Sequence, residues 1–406
     1  MRLTEAMEIA VASLWAHKLR SVLTLLGVVM GVGSVIAVVS FVNGLNGYIA
    51  EKVFNLGADV FIVSRGPMVQ LNIEDFLETQ KRRKLEMEHF RAVQGGCTKC
   101  VLVGASVRQR AEVKYGMNYL RDVTLSGWSA GMARILDIEA HSGRLLTETD
   151  ELHRAPVCVI GWDVVENLFP GLDPLGKELR INGDPFVIVG LGKKRGSALG
   201  QSRDNYVLIP ITTFQKGYGS SASVVIWGKA NTPARLDATI DQVRQVLRGI
   251  RHVRYAAKDD FTIDTNASFL AVWGSLTSTF FGVIVLIASI ALVVGGIVIM
   301  NIMLVSVTER TREIGLRKSL GARRHDIRMQ FLVESSTIAA VGGICGILGG
   351  VFLAKLVSWV TPLPSAIEAW SVIAGFVVAT SVGLFFGIYP ASKAARLDPV
   401  VALRQE

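Results

Sequence analysis

The sequence has few residues suited to a metal site or a nucleophilic centre, with four cysteines and six histidines among 406 residues. A structural zinc site needs four ligands, and only one closely spaced pair, Cys97 and Cys100, is present. Outside the cytoplasm this pair can form a local disulfide; a thioredoxin-like redox role is the weaker alternative, because Gly95 and Gly96 indicate a loop before it. The histidines show neither metal-ligand nor triad spacing: His89, His141, His153 and His252. We therefore predict no metal site and no catalytic site, and an enzyme is the least favoured class of function.

The chain also lacks a phosphate-binding loop. Residues 171–178 (Gly-Leu-Asp-Pro-Leu-Gly-Lys-Glu) resemble one, but such a loop carries Ser or Thr after its Lys, to hold magnesium, and it opens a helix. Glu178 occupies that position, and the residues after it favour a strand. We expect no ATP site and no other cofactor in this chain.

Motifs for nucleic-acid binding are absent as well. The net charge of +9 would suit a nucleic-acid partner, but there is no zinc finger, no RNP motif and no basic stripe interleaved with aromatic residues. Half of the residues are hydrophobic and the mean hydropathy is +0.41, which is high for a soluble protein of this length. The basic residues gather beside apolar runs, as orientation in a bilayer requires. The composition therefore indicates a membrane protein with no nucleic-acid partner.

Apolar runs of sufficient length predict four transmembrane helices. The longest stretch without a charged residue, 265–308, exceeds one crossing and predicts a helical stalk that leads into the second span. The first run is too long for a signal peptide, and no cleavage site follows it. The predicted divisions are an amphipathic helix at 1–20, a first span at 21–42, an external domain at 43–275, the stalk end and second span at 276–305, a charged segment at 306–330, a third span at 331–359, a fourth span at 369–390 and a tail at 391–406.

Between the first two spans the pattern changes to that of an α/β domain. Short β-branched runs predict strands at 59–63, 157–160, 178–181, 186–190, 206–209 and 223–227. Helices are predicted at 84–93, 163–169 and 238–248. Asn182-Gly183, between two of the strands, is a strong hairpin signal. The predicted fold class is an integral membrane α-helical protein with four spans and a large extracytoplasmic α/β domain between spans one and two.

The distribution of Lys and Arg predicts the orientation. The N-terminal tail, the charged segment and the C-terminal tail are rich in both, whereas the connection between the third and fourth spans has neither. The positive-inside rule therefore places both termini and the charged segment in the cytoplasm, and the α/β domain outside. The predicted span cores contain no ionisable residue, which argues against a channel or a secondary transporter with a midplane site.

The charged segment between the second and third spans predicts a helix. Ser306 and Glu309 have the spacing of a capping box at its start, and Gly321 lies where it would end. Glu313 and Arg317 are four residues apart, in the favourable order for a pair on one face. Gly315 costs about 1 kcal/mol relative to Ala in a helix, which indicates that another surface approaches it. The alternative is a solvated loop whose cations only set the topology.

Glycines four residues apart recur in the predicted spans. They are Gly27, Gly31, Gly342, Gly346, Gly350, Gly383 and Gly387. Small residues at this spacing let helices approach closely in lipid. They indicate either dimerisation or packing within one chain.

Over nearly its whole length the sequence resembles the permease subunit of MacB-type ABC transporters, the type VII or mechanotransmission class of the FtsX/MacB permease superfamily. The resemblance depends first on Glu-Arg-Thr-Arg-Glu-Ile-Gly-Leu-Arg-Lys-Ser-Leu-Gly-Ala at 309–322 and on Gln-Phe-Leu-Val-Glu at 330–334. The end, Tyr-Pro-Ala-Ser-Lys-Ala-Ala-Arg-Leu-Asp-Pro-Val-Val-Ala-Leu-Arg at 389–404, is also typical, as are 19–24 and 173–177. MacB carries a fused ATPase domain before its first span, whereas about 20 residues precede the first span here, so we expect a separate ATPase chain.

The resemblance implies a homodimer, with a paralogous heterodimer as the alternative, bound to two copies of an ATPase that holds ATP and magnesium. It also implies an inserted subdomain at about 125–230 and a bacterial inner-membrane location with the domain periplasmic or extracellular. In this family the segment 309–322 meets the ATPase, and movement passes through the spans to the external domains. The contact residues expected from it are Glu309, Arg310, Glu313, Ile314, Gly315, Arg317, Lys318 and Gly321.

Three functions remain open at this stage. The first is export of a substrate from the periplasm, with a membrane-fusion adaptor and an outer-membrane exit duct as further partners. The second is lipoprotein release, which shares the four-span plan. The third is FtsX-like signalling to a cell-wall hydrolase, although FtsX usually has a smaller external domain.

Overall fold

The computed structural model describes residues 18–50, 57–70, 73–198, 200–219, 222–361 and 364–404. Most of the predicted amphipathic helix at 1–20 lies outside these residues. The helices are α1 (Lys18–Tyr48), α2 (Ile73–Lys81), α3 (Met87–Gly96), α4 (Met132–Ile135), α5 (Glu148–Leu152), α6 (Trp162–Leu168), α7 (Ile211–Tyr218), α8 (Leu236–Ile250), α9 (Asn266–Glu309), α10 (Thr311–Ser319), α11 (Arg324–Val360), α12 (Ala369–Arg396) and α13 (Pro399–Arg404). The strands are β1 (Val60–Ser64), β2 (Cys100–Tyr115), β3 (Asn118–Trp128), β4 (Ala140–Gly143), β5 (Val157–Ile160), β6 (Glu178–Ile181), β7 (Asp184–Gly192), β8 (Ser197–Ala198), β9 (Gln201–Ser202), β10 (Tyr206–Pro210), β11 (Val225–Ala230) and β12 (Thr262–Thr265).

The chain divides into two compact units. We call Ala50–Trp273 the sheet unit, and Met1–Ile49 with Gly274–Glu406 the helical unit. The sheet unit contains a ten-stranded sheet in the order β12-β1-β11-β2-β3-β10-β5-β7-β4, with β6 paired to β2 and β7. Most neighbours are antiparallel; β10 with β3 and β5 with β7 are parallel. The prediction of an α/β domain between the first two apolar helices is confirmed.

One face of this sheet carries the core of the sheet unit. Alternate residues of β2 and β3, among them Val107 and Leu125, are buried against helices on that face. The amphipathic helix α8 buries Ile240, Val243 and Leu247 there. The intervening residues of the same strands form the second face of the sheet, which is more exposed.

The hairpin at Asn182-Gly183 is confirmed. Both residues adopt positive φ, 50° at Asn182 and 99° at Gly183, which is the requirement of a type I′ turn between antiparallel strands. The longest hairpin of the sheet, β2 with β3, was not predicted, although Gly116 (φ 58°) marks its turn. The inserted subdomain expected at about 125–230 stays a prediction, since its strands continue the same sheet and residues 50–273 form a single compact unit.

Four described helices are long and apolar enough to cross a membrane: Leu25–Tyr48, Asn266–Glu309, Arg324–Val360 and Ala369–Arg396. Each predicted span falls largely within one of them, and each helix extends beyond the predicted bounds. The predicted capping box of Ser306 and Glu309 is wrong, because α9 continues through Ser306 and ends at Glu309. The long apolar helix already satisfies the backbone there, so no new helix start forms at Ser306.

The predicted packing glycines lie where helices of the same chain approach each other. A Cβ atom on Gly27 would lie 2.8 Å from Gly295 Cα, and one on Gly350 would lie 2.6 Å from Gly33 O. A Cβ would meet another helix at 3.2 Å or closer at each of the remaining positions, Gly31, Gly342, Gly346, Gly383 and Gly387. Of the two functions that the spacing allowed, packing within one chain therefore accounts for these residues.

An ion pair lies at the N-terminus of α5 in the sheet unit. Arg144 donates to both carboxylate oxygens of Asp150, at 2.5 and 2.9 Å, and the Thr147 N–H and hydroxyl donate to Asp150 Oδ2 at 2.9 and 2.7 Å. These hydrogen bonds, that of Arg144 first, lower the pKa of Asp150 to about 2. The Asp150 side chain is only 8% exposed, so solvent screens the pair little.

We expect Asp150→Asn to weaken this part of the sheet unit by about 2 kcal/mol at neutral pH, as the depressed pKa implies. Because the folded pKa lies below the unfolded value, the stabilisation is complete above about pH 4 and is lost as the pH falls through about 2. Hydrogen exchange of the α5 amides should accelerate about 30-fold in the variant. Glu112→Gln, which breaks an exposed pair with Arg121, is the control and should leave these amides unchanged. Equal exchange in both variants would contradict the assignment.

Candidate functional site

The charged segment forms the short helix α10 between α9 and α11. The chain is interrupted at Arg310, whose φ of −101° and ψ of 16° separate the two helices. At the other end Gly321 has φ 98°, and Ala322 N donates to Arg317 O at 3.0 Å while Gly321 N donates to Lys318 O at 3.1 Å. These two bonds form a Schellman motif, so the prediction that Gly321 ends the helix is confirmed.

The inner face of α10 is buried within the helical unit. Ile314 is 2% exposed and lies in a cluster with Ile327 and Phe331 of α11. A Cβ atom on Gly315 would lie 2.7 Å from Ala402 Cβ. The prediction that another surface approaches Gly315 is therefore confirmed, and that surface is α13 of the same chain.

Two arginines join α10 to α11. Arg310 donates to both carboxylate oxygens of Glu334, at 3.3 and 3.4 Å, and the Glu334 side chain is only 5% exposed. Arg317 donates to Gln330 Oε1 at 2.9 Å and to Glu313 Oε1 at 2.5 Å. The predicted pair of Glu313 and Arg317 thus forms, and Arg317 also reaches the neighbouring helix.

Lys318 joins α10 to the end of α12. Its ammonium donates to Ala395 O at 3.0 Å and to Leu397 O at 2.6 Å. The last carbonyls of a helix have no intrahelical donors, and a cation there also interacts favourably with the helix dipole. Lys318 therefore stabilises the end of the last long helix rather than facing solvent.

The opposite side of α10 is exposed. This outer face is formed by Arg312, Glu313, Leu316, Ser319 and Leu320. Leu316 is 53% exposed and Leu320 is 81% exposed, which is unusual for leucines beside so many charges. Neither was predicted; their signal was the four-residue spacing of Arg312, Leu316 and Leu320, which places them on one side of a helix.

The short helix α13 adds exposed apolar residues beside α10. Ala402 is buried against Gly315, whereas Val400 and Val401 are 63% and 61% exposed. No role was predicted for these two valines. The two helices together present exposed leucines and valines next to cations, an arrangement typical of a protein-binding surface.

Among the residues that the structure describes, no group of three or more His, Cys, Asp or Glu could hold a metal ion. Cys97 and Cys100 are joined in a disulfide with Cα atoms 5.5 Å apart. Burial lowers the pKa of His89 and the adjacent Arg251, whose Nη1 lies 3.3 Å from His89 Nε2, lowers it further. His89 accordingly belongs to a structural cluster of the sheet unit, with Arg251 bonded to Asp260 at 2.8 and 2.6 Å.

Two family models match the chain. The model described as MacB-like periplasmic core domain matches residues 21–246, and that described as FtsX-like permease C-terminal matches residues 284–399. The macrolide export ATP-binding/permease protein MacB of Azoarcus sp. is 35% identical over 413 residues, covering 100% of this chain and 60% of that protein. The ABC transporter permease YknZ of Bacillus subtilis is 33% identical over 409 residues, covering 100% of both chains.

Solved structures are also similar to part of this chain. The periplasmic region of MacB from Actinobacillus actinomycetemcomitans covers 55% of this chain and 96% of its own, with a TM-score of 0.46 and 17% identity. The extracellular domain of YknZ from Gram-positive bacteria covers 51% and 100%, with a TM-score of 0.41 and 18% identity. The chain spans about 60% of the length of the MacB relatives that it matches.

We expect Gly315→Ala to destabilise the helical unit by about 1–3 kcal/mol, because the added methyl group would overlap that of Ala402. Ala402→Gly in the same chain should restore most of the loss by removing the opposing methyl group. Thermal unfolding of the full chain in detergent measures both effects. Gly349→Ala, where a Cβ meets nothing within 4 Å, is the control and should not destabilise. A single variant as stable as the parent, or no rescue in the double variant, would contradict the contact.

Proposed function

This chain belongs to the family of MacB-like and FtsX-like ABC transporter permeases, and we propose that its helix α10 contacts the partner ATPase and is moved by it. Membership of this family implies an ATPase partner. The observation that carries the proposal is the two-sided character of α10. Its inner face is fastened to α11, α12 and α13, while its outer face is exposed and carries two leucines.

This proposal revises which residues meet the ATPase. Of the residues expected there, Ile314 and Gly315 are buried inside the chain, and Arg310, Arg317 and Lys318 bond to neighbouring helices. Their role in the proposal is to hold α10 in place. The contact itself is assigned to the outer face, together with the exposed residues Glu309 and Gly321 of the original set.

The proposed assembly is a homodimer of this chain with two copies of a separate ATPase that binds ATP and magnesium. The name of the relative YknZ, an ABC transporter permease, supports an ATPase that is a separate chain. The positive-inside rule supports a cytoplasmic location for both termini and α10 and an external location for the sheet unit. A paralogous heterodimer is the alternative.

We propose that the ATPase moves α10 and that the spans pass this movement on. Helix α9 supports this step, because it is a continuous helix from Asn266, directly after β12, to Glu309, next to α10. The proposed function of the permease is then export of a substrate from the periplasmic side, without passage of that substrate through the bilayer. The names of the MacB relatives favour export over lipoprotein release or hydrolase control; an adaptor and an exit duct belong to the same proposal.

The double variant Leu316→Ser with Leu320→Ser should lose the ATPase. Burying an exposed leucine in an interface is worth about 1.5–3 kcal/mol, so removing two should weaken the complex by at least tenfold. The measurement is co-purification of the ATPase with the full chain from its native membrane, followed by titration of the ATPase against the purified permease in lipid nanodiscs.

The matched control is Leu152→Ser, which replaces a leucine that is 79% exposed in the sheet unit. It should bind the ATPase like the parent. The thermal unfolding of all variants should be unchanged, because these side chains are exposed. Full ATPase binding by the α10 variant would refute the assigned contact.

The same purification separates the candidate functions. A membrane-fusion adaptor among the co-purified proteins supports export. A lipoprotein carrier or a cell-wall hydrolase in its place would replace export with release or signalling, while leaving the ATPase contact intact.

A further inference from the structure

The second face of the sheet in the sheet unit borders an open cavity of about 780 Å³. Helices cover the other face, where the core lies. Cavities that hold small organic ligands measure about 300–1,000 Å³. The cavity thus has the size of a ligand site, and none of the elements discussed so far uses it.

The floor of the cavity follows from the alternation of the strands. Ser126 of β3 lies opposite Arg108 of β2 and beside Leu208 of β10, which in turn lies opposite Val159 of β5. These four side chains form one row across four strands on the open face, and all of them line the cavity. The row changes along its length from apolar, at Val159 and Leu208, to cationic at Arg108.

Two tryptophans add flat apolar surface to this floor. Trp128 and Trp227 line the cavity and are half-buried. Trp227 Nε1 donates to Ser106 Oγ at 2.8 Å, which fixes the orientation of its ring. An indole face held in this way suits a flat apolar group.

One wall is a ribbon formed by residues 193–198 and 200–203, which contains the small hairpin β8–β9. Asp204, 1% exposed, accepts hydrogen bonds from Arg195 N at 2.9 Å and Gly196 N at 2.8 Å. These bonds hold the ribbon beside the sheet, with the side chains of Lys193 and Arg195 exposed.

The lining of the cavity carries an excess of positive charge. Its charged residues are Arg108, Lys193, Lys194, Arg195, Arg203, Asp137 and Glu139. Asp137 is already paired with Lys229 at 3.1 Å, and Lys194 with Glu166 at 2.7 Å. Glu139 is then the one carboxylate of the lining that forms no ion pair among the described residues, whereas Arg108, Lys193 and Arg195 are three cations of the same lining. The field in the cavity therefore favours an anion.

An unmatched acceptor lies in the same lining. Asn205 Oδ1 is buried and has no hydrogen-bond partner among the described residues, while its amide nitrogen donates to Asp122 O at 3.4 Å. A buried polar atom without a partner costs about 1–3 kcal/mol. The aromatic carboxylate proposed below carries no donor, so this atom is not among its contacts.

We propose that this cavity binds a small organic anion that carries a flat apolar group, such as an aromatic carboxylate. The carboxylate lies toward Arg108 and Lys193, and the flat group lies on Trp128 and Trp227. The inference rests on the proposed function in one respect: such anions are then the class of substrate that the permease exports. Binding itself needs neither ATP nor the ATPase.

Three probes with one ring system and different charge test the proposal: 2-naphthoate, 2-naphthalenemethanol and 2-naphthylmethylammonium. Binding to the full chain in nanodiscs of zwitterionic lipid is measured by equilibrium dialysis against empty nanodiscs. We expect naphthoate to bind most tightly and the ammonium compound least tightly. Arg108→Gln and Lys193→Gln should each weaken naphthoate binding about threefold, and together about tenfold, as for partly exposed ion pairs.

The control is Arg91→Gln, an equal loss of charge at an exposed residue of α3, which lines no part of this cavity. It should bind naphthoate like the parent. The double reversal Arg108→Glu with Lys193→Glu should invert the preference toward the ammonium probe. All of these side chains are exposed, so the variants should fold, and thermal unfolding checks that they do.

The proposal is overturned if the three probes bind equally, if naphthoate does not bind, or if Arg91→Gln has the same effect as Arg108→Gln. If a second copy of this chain covered the cavity, naphthoate would not bind to the full chain, and that result also overturns the proposal. The ATPase titration of the Leu316 and Leu320 variants is independent of these results. Failure of the anion site and failure of the coupling contact are therefore distinguishable.

Discussion

The structure of the helical unit around α10 depends on the contacts that hold this helix against its neighbours. Glu334 is a buried carboxylate in an apolar helix, and a charge in such a place costs several kcal/mol unless a partner compensates it. Arg310 supplies such a partner from the junction of α9 and α10, so separation of the two would be costly. Lys318, bonded to the last carbonyls of α12, and Gly315, in contact with Ala402, add two further attachments. Together they make α10 part of the bundle and leave only its outer face for a partner.

Close contacts between the long helices hold the rest of the helical unit together. Lipid supplies no hydrophobic drive between apolar helices, so tight packing of small residues has to hold them. Gly350 against Gly33 and Gly27 against Gly295 bring backbones into direct contact, which larger residues would prevent. Such packing holds the helices of the unit in close contact with one another. That property is what the proposed mechanism requires between α10 and the rest of the chain.

Local signals predicted part of this structure well. The hairpin at Asn182-Gly183, the end of α10 at Gly321 and the pair of Glu313 with Arg317 each depend on residues close in sequence. Gly315 correctly indicated a close surface, but the identity of that surface depended on Ala402, a contact between distant parts of the chain that no local pattern contains. The same limit explains why Leu316 and Leu320 were missed: which side of α10 is buried follows from its neighbours and not from its own composition. The pairing of β2 with β3 was missed because polar residues interrupt the alternation of both strands.

The most direct test of the account is the distance between α10 and α11 while the ATPase works. Spin labels at residues 319 and 328, both exposed, keep Leu316 and Leu320 in place. They are introduced in a chain with Cys345→Ala, because Cys345 is the exposed free cysteine of the described residues. Pulsed electron paramagnetic resonance then compares the nucleotide-free complex with the ATP-bound one, with ATP turnover measured in the same sample. The account predicts the same distance distribution in both states, because α10 moves together with α11. A distribution that shifts on ATP binding would show that α10 moves independently of the bundle, and would contradict it.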